Sequence, residues 1–414
     1  MRLGTCGVNG PDGEPRHICA NLWALHSYGC GCRVATRKKS TGTAPVVAVA
    51  ASTRTASKST RARAVATAVP VRRPPARLKD VAEAAGVHPS TASRALNDET
   101  ATLVQRETIE RIRRVATELG YRVNGMARAL KTRRSMAIGM VVPDITNPFF
   151  PPAVRGAEET LAKAGFSLLL SSSNNDSDRA QSQLDAMIDA QVDGLLLAMI
   201  KRRDPIMDRL RERQVPAVLF NRTVDEEDFS SVVPDDAKGS RLAVAHLNEL
   251  GHKHLGLVVG PLYTSNGDRR LRAFTQSARR FGLRTTIVEA AAFDEVSGCH
   301  AARQLLRESP DVTGVVAGND LLALGVIDAA TEQGLRCPRD LSVVGFNDMP
   351  LAGRLQPPLT TISIPESDLG RLAAECLISL IEDPDQPPTH LLVPVSLVVR
   401  GSTAAPRILT RKSR

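Results

Sequence analysis

The sequence predicts a small all-α head followed by a large α/β body made of two doubly wound subdomains. Three observations predict it. The chain has 414 residues, too many for one ordinary domain. Between Arg77 and Leu119 the apolar residues recur at helical spacing. From Ser135 onward short apolar runs alternate with amphipathic stretches, the rhythm of parallel α/β units, and roughly 260 residues of it exceed one subdomain.

Residues 1–75 come first and predict no fold. They are rich in Ala, Thr, Ser, Arg and Pro, with no sustained period, and 36–73 lacks the apolar surface to offset ordering entropy. They carry 12 Lys/Arg against 2 Asp/Glu, so the whole formal charge of +10 resides there. Residues 76–134 hold 12 against 7 and residues 135–414 hold 30 against 35, so these two segments cancel. The extension reads either as a basic arm adding non-specific DNA affinity or, in the favoured reading, as a functionless stretch from a start placed too early. Cys6, Cys19, Cys30 and Cys32 show no paired C-x-x-C spacing, and Cys299, Cys337 and Cys376 are scattered singly. That pattern argues against a zinc site and a disulfide framework and fits a reducing compartment. With no apolar run of ~18–20 residues and no signal-peptide pattern, the expected location is the cytoplasm.

The head begins near Arg77. Leu78, Val81, Ala82 and Ala85 share one helical face, and Gly86 is placed to end that helix. Pro89 opens a second helix through Leu96, where its missing N–H costs nothing. Asn97-Asp98 then breaks the chain. A third helix runs over about 106–119 with Ile109, Ile112, Val115, Ala116 and Leu119 on one face, closed by Gly120. Helices joined by a Gly-containing turn form a helix-turn-helix unit, and a further short helical stretch spans Asn124–Lys131. In the body the predicted strands are 137–142, 167–171, 194–198, 217–220, 254–259, 285–288, 314–316 and 341–344.

The segment Leu78–Leu96, LKDVAEAAGVHPSTASRAL, resembles the head of the LacI/GalR family of bacterial transcriptional regulators. The resemblance continues, in order, through Asn124–Leu130, Val141–Phe150 (VVPDITNPFF), Val192–Leu197, Gly251–Leu255, Gly318–Gly325 (GNDLLALG), Ser342–Asp348 and Pro358–Ile362. It covers about residues 77–405 and rests on the order and spacing of the pieces together. It implies a helix-turn-helix head at 76–123 and a hinge helix with linker at 124–134. A periplasmic-binding-protein-like sensor of two Rossmann-like subdomains follows at 135–405, for effector binding and dimerisation, with a tail at 406–414.

By that resemblance the second helix is the recognition helix, with His88, Pro89, Ser90 and Arg94 along base edges of the major groove. Proline has no side-chain donor, so His88, Ser90 and Arg94 are the hydrogen-bonding candidates. Thr91, Ser93 and Asn97 are placed for phosphates, which position without specifying. The competing reading makes Ser90 a helix cap and Arg94 a solvated charge. In the hinge helix, Leu130 corresponds to the family's minor-groove wedge, with Arg128 and Lys131 beside it; otherwise it is a core leucine. Two departures stand out. Val123 replaces a frequent proline, and 98–103 is about two residues longer than usual, with Gln105 at the position of the usual Ser cap.

The family's effector lies between the two lobes, at the carboxyl ends of parallel strands. The matching positions are Phe149, Phe150, Asn221, Arg222, Thr264, Arg270, Phe293 and Asp320. Asp320, Asn221 and Arg270 suit vicinal hydroxyls, and Phe149 and Phe293 suit apolar ring faces. The alternatives are a salt-bridged Asp320 and core phenylalanines. The sole tryptophan, Trp23, lies in the extension, and Ile364 stands where many relatives have Gln.

The expected function is that of an effector-controlled repressor. Its partners are double-stranded operator DNA, a carbohydrate-like small molecule and a second copy of itself, since the tail shows no leucine heptads for a larger assembly. No cofactor, metal or membrane partner is expected. A solute-binding protein of an uptake system would leave the head unexplained and would need export. An α/β enzyme is disfavoured: G-x-G-x-x-G, G-x-S-x-G, Walker and H-E-x-x-H motifs are missing. His246, His252 and His254, around one helix-to-strand turn, read as surface or capping groups.

Overall fold

The computed structural model describes residues 76–121 and 134–406. In the head, α1 (Leu78–Ala84), α2 (Pro89–Ala95) and α4 (Arg106–Glu118) bury Val81, Ala82, Ala85, Ala92, Ala95, Ile112 and Ala116 against one another. Small alanines on α1 and α2 let these helices approach closely, and Gly86, at φ +65°, makes the left-handed turn between them. Residues 98–103, read from sequence as a loop, contain a one-turn helix α3 (Asp98–Ala101). Thr100 holds it: its amide donates to Asn97 O and its hydroxyl to Arg94 O at 3.1 Å. Gln105 occupies the N-cap of α4 without a side-chain bond.

The body folds as two six-stranded sheets. The first has the order β11-β5-β4-β3-β1-β2, from β1 (Ala137–Val142), β2 (Ser167–Ser172), β3 (Gly194–Leu197), β4 (Ala217–Phe220), β5 (Ser230–Pro234) and β11 (His390–Val393). The second has the order β12-β10-β9-β8-β6-β7, from β6 (His254–Val259), β7 (Arg284–Glu289), β8 (Gly314–Ala317), β9 (Ser342–Asn347), β10 (Thr360–Ser363) and β12 (Ser396–Val398). All pairings are parallel except β10 with β12. Helices cover the faces: α5 (Phe150–Lys163), α6 (Ser177–Asp189), α7 (Ile206–Arg213) and α12 (Glu366–Glu382) on the first sheet. On the second lie α8 (Asp236–Glu249), α9 (Ser265–Arg280), α10 (Glu295–Glu308) and α11 (Asp320–Glu332).

Four of these strands were not read from the sequence: β5, β10, β11 and β12. Their residues are mixed in polarity, and side-chain hydrogen bonds help seat the β5–β11 pair. Ser230 Oγ accepts from Thr389 N, and Ser231 Oγ meets His390 Nδ1 at 3.0 Å, which ties β11 to β5. The chain therefore crosses between lobes three times, after β5, after β10 and between β11 and β12. Each lobe is sewn from separated segments. His252 and His254 are buried, which corrects the surface reading. His252 bridges Thr313 Oγ1 (2.8 Å) and Ala404 O (3.1 Å), and His246 meets Thr403 Oγ1 at 2.9 Å, so these rings fasten the segment after β12.

Candidate functional site

A cavity of about 350 Å³ opens between the two lobes, at the carboxyl ends of their strands. The first lobe contributes the β1–α5 loop (Asp144, Thr146, Asn147, Phe149, Phe150), Asn175 after β2, and Asn221 and Arg222 after β4. The second contributes Asn266 and Arg270 on α9, the β7–α10 loop (Phe293, Asp294, Glu295), Asn319 and Leu321 at the start of α11, and Asn347 at the end of β9. Parallel strands end in loops whose amides point past the sheet edge, so a crevice there gathers polar groups without unfolding anything. Arg202, which lines a separate cavity, joins the lobes, reaching Asp225 at 2.8 Å on its own side and Asp268 at 3.0 Å across.

Of the residues expected from sequence, Phe149, Phe150, Asn221, Arg222, Arg270 and Phe293 line this cavity. Phe149 and Phe150 pack edge to face, centroids 5.1 Å apart, and form an apolar wall. Thr264 and Asp320 do not line it. Thr264 is fully buried as the N-cap of α9, its hydroxyl donating to Pro261 O at 2.6 Å. Asp320, also fully buried, accepts from Thr361 Oγ1 (2.5 Å) and Met349 N (2.7 Å), so its carboxylate is held by the chain around β10. Burial pushes its pKa up to about 7. The same region holds Glu366, which burial also pushes up to about 7, with Asp348 and Asp320 adding repulsion. Ile364 is buried in the core shared by the lobes.

Sequence reasoning missed the amides. Asn147, Asn175, Asn266, Asn319 and Asn347 join Asn221 around the cavity. The signal in the sequence was the residue type itself: Asn175, Asn221 and Asn347 have φ of 59°, 64° and 116°, a region asparagine tolerates better than bulkier residues. Asn319 caps α11, accepting from Leu322 N at 2.8 Å, while its amide donates to Phe293 O. The two arginines differ. Arg270 Nε bonds Asp236 Oδ1 at 2.8 Å, its Nη1 donates to Gly318 O, and its guanidinium lies 3.6 Å from the Phe346 ring centroid. Arg222 lies over Phe293 at 5.4 Å, and its Nε is buried without a hydrogen-bond partner.

In the head, α2 buries Ala92 and Ala95 and turns the opposite face outward. His88, Pro89, Ser90 and Arg94 are exposed, and Thr91, Ser93 and Asn97 are half-buried. The N-cap is His88, not Ser90: its Nδ1 accepts from Ser90 N at 3.2 Å and meets Ser90 Oγ at 2.8 Å. Arg94 sits in the last turn of α2. Arg128, Leu130 and Lys131 lie outside the described residues. No group of three or more potential metal ligands occurs among the described residues, nor any helix long and apolar enough to cross a membrane.

A helix-turn-helix head followed by a two-lobed α/β body with an inter-lobe cleft defines a ligand-responsive DNA-binding regulator rather than an enzyme. Comparison with known proteins makes this particular. Residues 77–124 match the family model described as bacterial regulatory proteins, lacI family, and residues 244–403 match a periplasmic binding protein-like domain. The ribose operon repressor of Haemophilus influenzae is 32% identical over 329 residues, 79% of this chain and 98% of that protein. A lac repressor dimer bound to operator and the anti-inducer ONPF superposes with a TM-score of 0.72 at 28% identity, covering 80% of this chain and 100% of that one. A LacI family transcriptional regulator from Enterococcus faecium with bound ribose gives 0.58 at 29% identity, covering 66% and 100%. The chain belongs to the lacI family of bacterial regulatory proteins.

Proposed function

We propose that the chain is a transcription repressor that binds operator DNA as a homodimer and changes its operator affinity when a sugar-type effector enters the inter-lobe cleft. One observation carries this reading: the same chain presents an outward α2 face with His88, Ser90 and Arg94 and, separately, a polar cleft lined by amides, guanidinium groups and aromatic rings. The relatives supply the context, a ribose operon repressor and a lac repressor dimer on its operator. The cavity of about 350 Å³ lies at the small end of the ~300–1,000 Å³ range of ligand pockets, which suits a single sugar ring. Leu169 and Leu170 on β2 and Ile287 on β7 are exposed on edge strands of the two sheets, the kind of surface a second copy covers. A protein acting on operator DNA works in the cytoplasm.

Phe149, Phe150, Asn221, Arg222, Arg270 and Phe293 are the proposed effector contacts, with Asn147, Asn266, Asn319 and Asn347 added. His88, Ser90 and Arg94 read bases, Thr91, Ser93 and Asn97 hold phosphates, and Leu130 wedges the minor groove beside Arg128 and Lys131. The test is a gel shift with the full chain on DNA flanking its own gene. A specific complex at moderate salt is expected, shifted ~5–150-fold in affinity by the effector. Absence of any sequence-specific complex rejects the reading. Leu130→Ala should weaken specific binding much more than non-specific binding, and equal loss on both rejects the wedge.

A further inference from the structure

We infer that the effector is an anionic sugar derivative, a sugar phosphate or sugar acid, whose charged group is received by Arg222. The inference rests on the effector cleft proposed above and names the ligand's charge. Arg222 is only 6% exposed, yet it lines the cavity. No carboxylate lies within ion-pair distance among the described residues, and its Nε has no hydrogen-bond partner. The residue before it is Asn221, a neutral amide, and Phe293 covers one face of the guanidinium.

The other charges near the cleft do not supply the missing partner. Arg270 is positive and is already matched by Asp236. Asp144 accepts from the amide and hydroxyl of Thr146, and Asp294 caps α10 through Ser297 N. Asp294 and Glu295 are exposed at the mouth. Burial pulls the Arg222 pKa down to about 10, with Tyr263 pulling it back up and Arg270 adding repulsion. A buried guanidinium in this state gains most from a ligand that brings both acceptors and a negative charge. Neutral hydroxyls bring only the first. Asparagines around it suit the hydroxyls of the same ligand, as acceptors and donors at once.

The test measures binding of ribose, ribose 5-phosphate and ribonate to the full chain by calorimetry, with inorganic phosphate against chloride at equal ionic strength. At least one of the two anionic sugars should bind at least about tenfold more tightly than ribose. Phosphate alone should raise the melting temperature above chloride. The stronger of the phosphate and carboxylate arms identifies the group. Arg222→Gln should abolish both preferences, and Arg222→Lys should retain part of them. In the free protein Arg222→Gln should melt at or above the wild type, because it removes an uncompensated buried charge. Tighter binding of ribose than of either anion overturns the inference but leaves a sugar-controlled repressor standing. Indifference of the wild type to all four probes, or a free Arg222→Gln protein that melts well below wild type, also overturns it. Failure of the operator gel shift strikes the repressor reading instead, whatever the sugars do.

Discussion

Replacing Asp236 by alanine isolates the buried ion pair that supports the cleft. Asp236 opens α8 directly after the first crossing between lobes, and its side chain is 1% exposed. It meets Arg270, 3% exposed, through one bond of 2.8 Å, and its other oxygen has no partner. Burial pushes the Asp236 pKa up even though Arg270 pulls it down, so desolvation outweighs the attraction. Asp236→Ala leaves the nearly buried Arg270 guanidinium without its carboxylate, with Gly318 O as its remaining hydrogen-bond partner and Phe346 against its face. Breaking one side of such a pair costs about 3–5 kcal/mol, which lowers the melting temperature by roughly 10 °C in a body of this size. The double replacement Asp236→Leu with Arg270→Met should recover most of the loss, because an apolar pair of similar volume is often neutral or better than a buried ion pair. Thermal and urea melts of the wild type, Asp236→Ala and the double variant make the comparison directly. A drop of less than ~2 °C for Asp236→Ala, or a double variant no better than the single one, refutes the reasoning.

Three further outcomes follow from the same geometry. Glu366 keeps its proton up to about pH 7 when folded but releases it near its ordinary value of 4.5 when unfolded. Its contribution is therefore intact below that value and declines as pH rises to about 7, by up to about 3 kcal/mol; Glu366→Gln should gain urea stability at pH 8 relative to pH 4.5, and a pH-independent difference rejects this. Arg94→Ala should cost ~1–3 kcal/mol of discrimination between operator and non-operator DNA, read from competition gel shifts, and equal loss on both sequences returns Arg94 to a solvated charge. Gly370→Ala on α12 should destabilise the body despite better helix propensity, because the added Cβ would lie 1.8 Å from Ala153 O on α5; an unchanged melting temperature would mean the two helices separate freely.

Where apolar runs mark a strand, the sequence reading and the structure agree closely. Strands β1, β4 and β6 have the predicted bounds because each is a continuous apolar run buried on both sides. β11 and β12 escaped because they are edge strands with exposed residues such as Leu392, at 65%. Only after the chain has crossed the lobes do they find their partners, β5 and β10, and local periodicity cannot report a crossing. α3 escaped for a different reason: its single turn is held by Thr100 bonding back to Arg94 and Asn97, interactions worth one helical turn and too short to create a period.

The cleft shows a sharper limit. Matching positions located its aromatic wall and both arginines, but the same matching also put Asp320 and Thr264 there, and neither lines the cavity. Asp320 looks like a ligand residue because a carboxylate suits hydroxyls, yet Thr361 and Met349 N already occupy its oxygens. Asn319, one residue earlier, reaches the cavity instead. A side chain at a helix start can face either the ligand or its own helix, and one residue of rotation decides which. The amides were passed over because asparagine in a loop is ordinarily a turn former. Here the two roles coincide: Asn175, Asn221 and Asn347 adopt left-handed backbone that other side chains resist, and the same turn puts them on the cavity wall. The neutral amides also leave the charge of Arg222 unmatched. That charge separates a cleft built for hydroxyls alone from one built for hydroxyls and an anion, and it became visible only when the residues around it could be named.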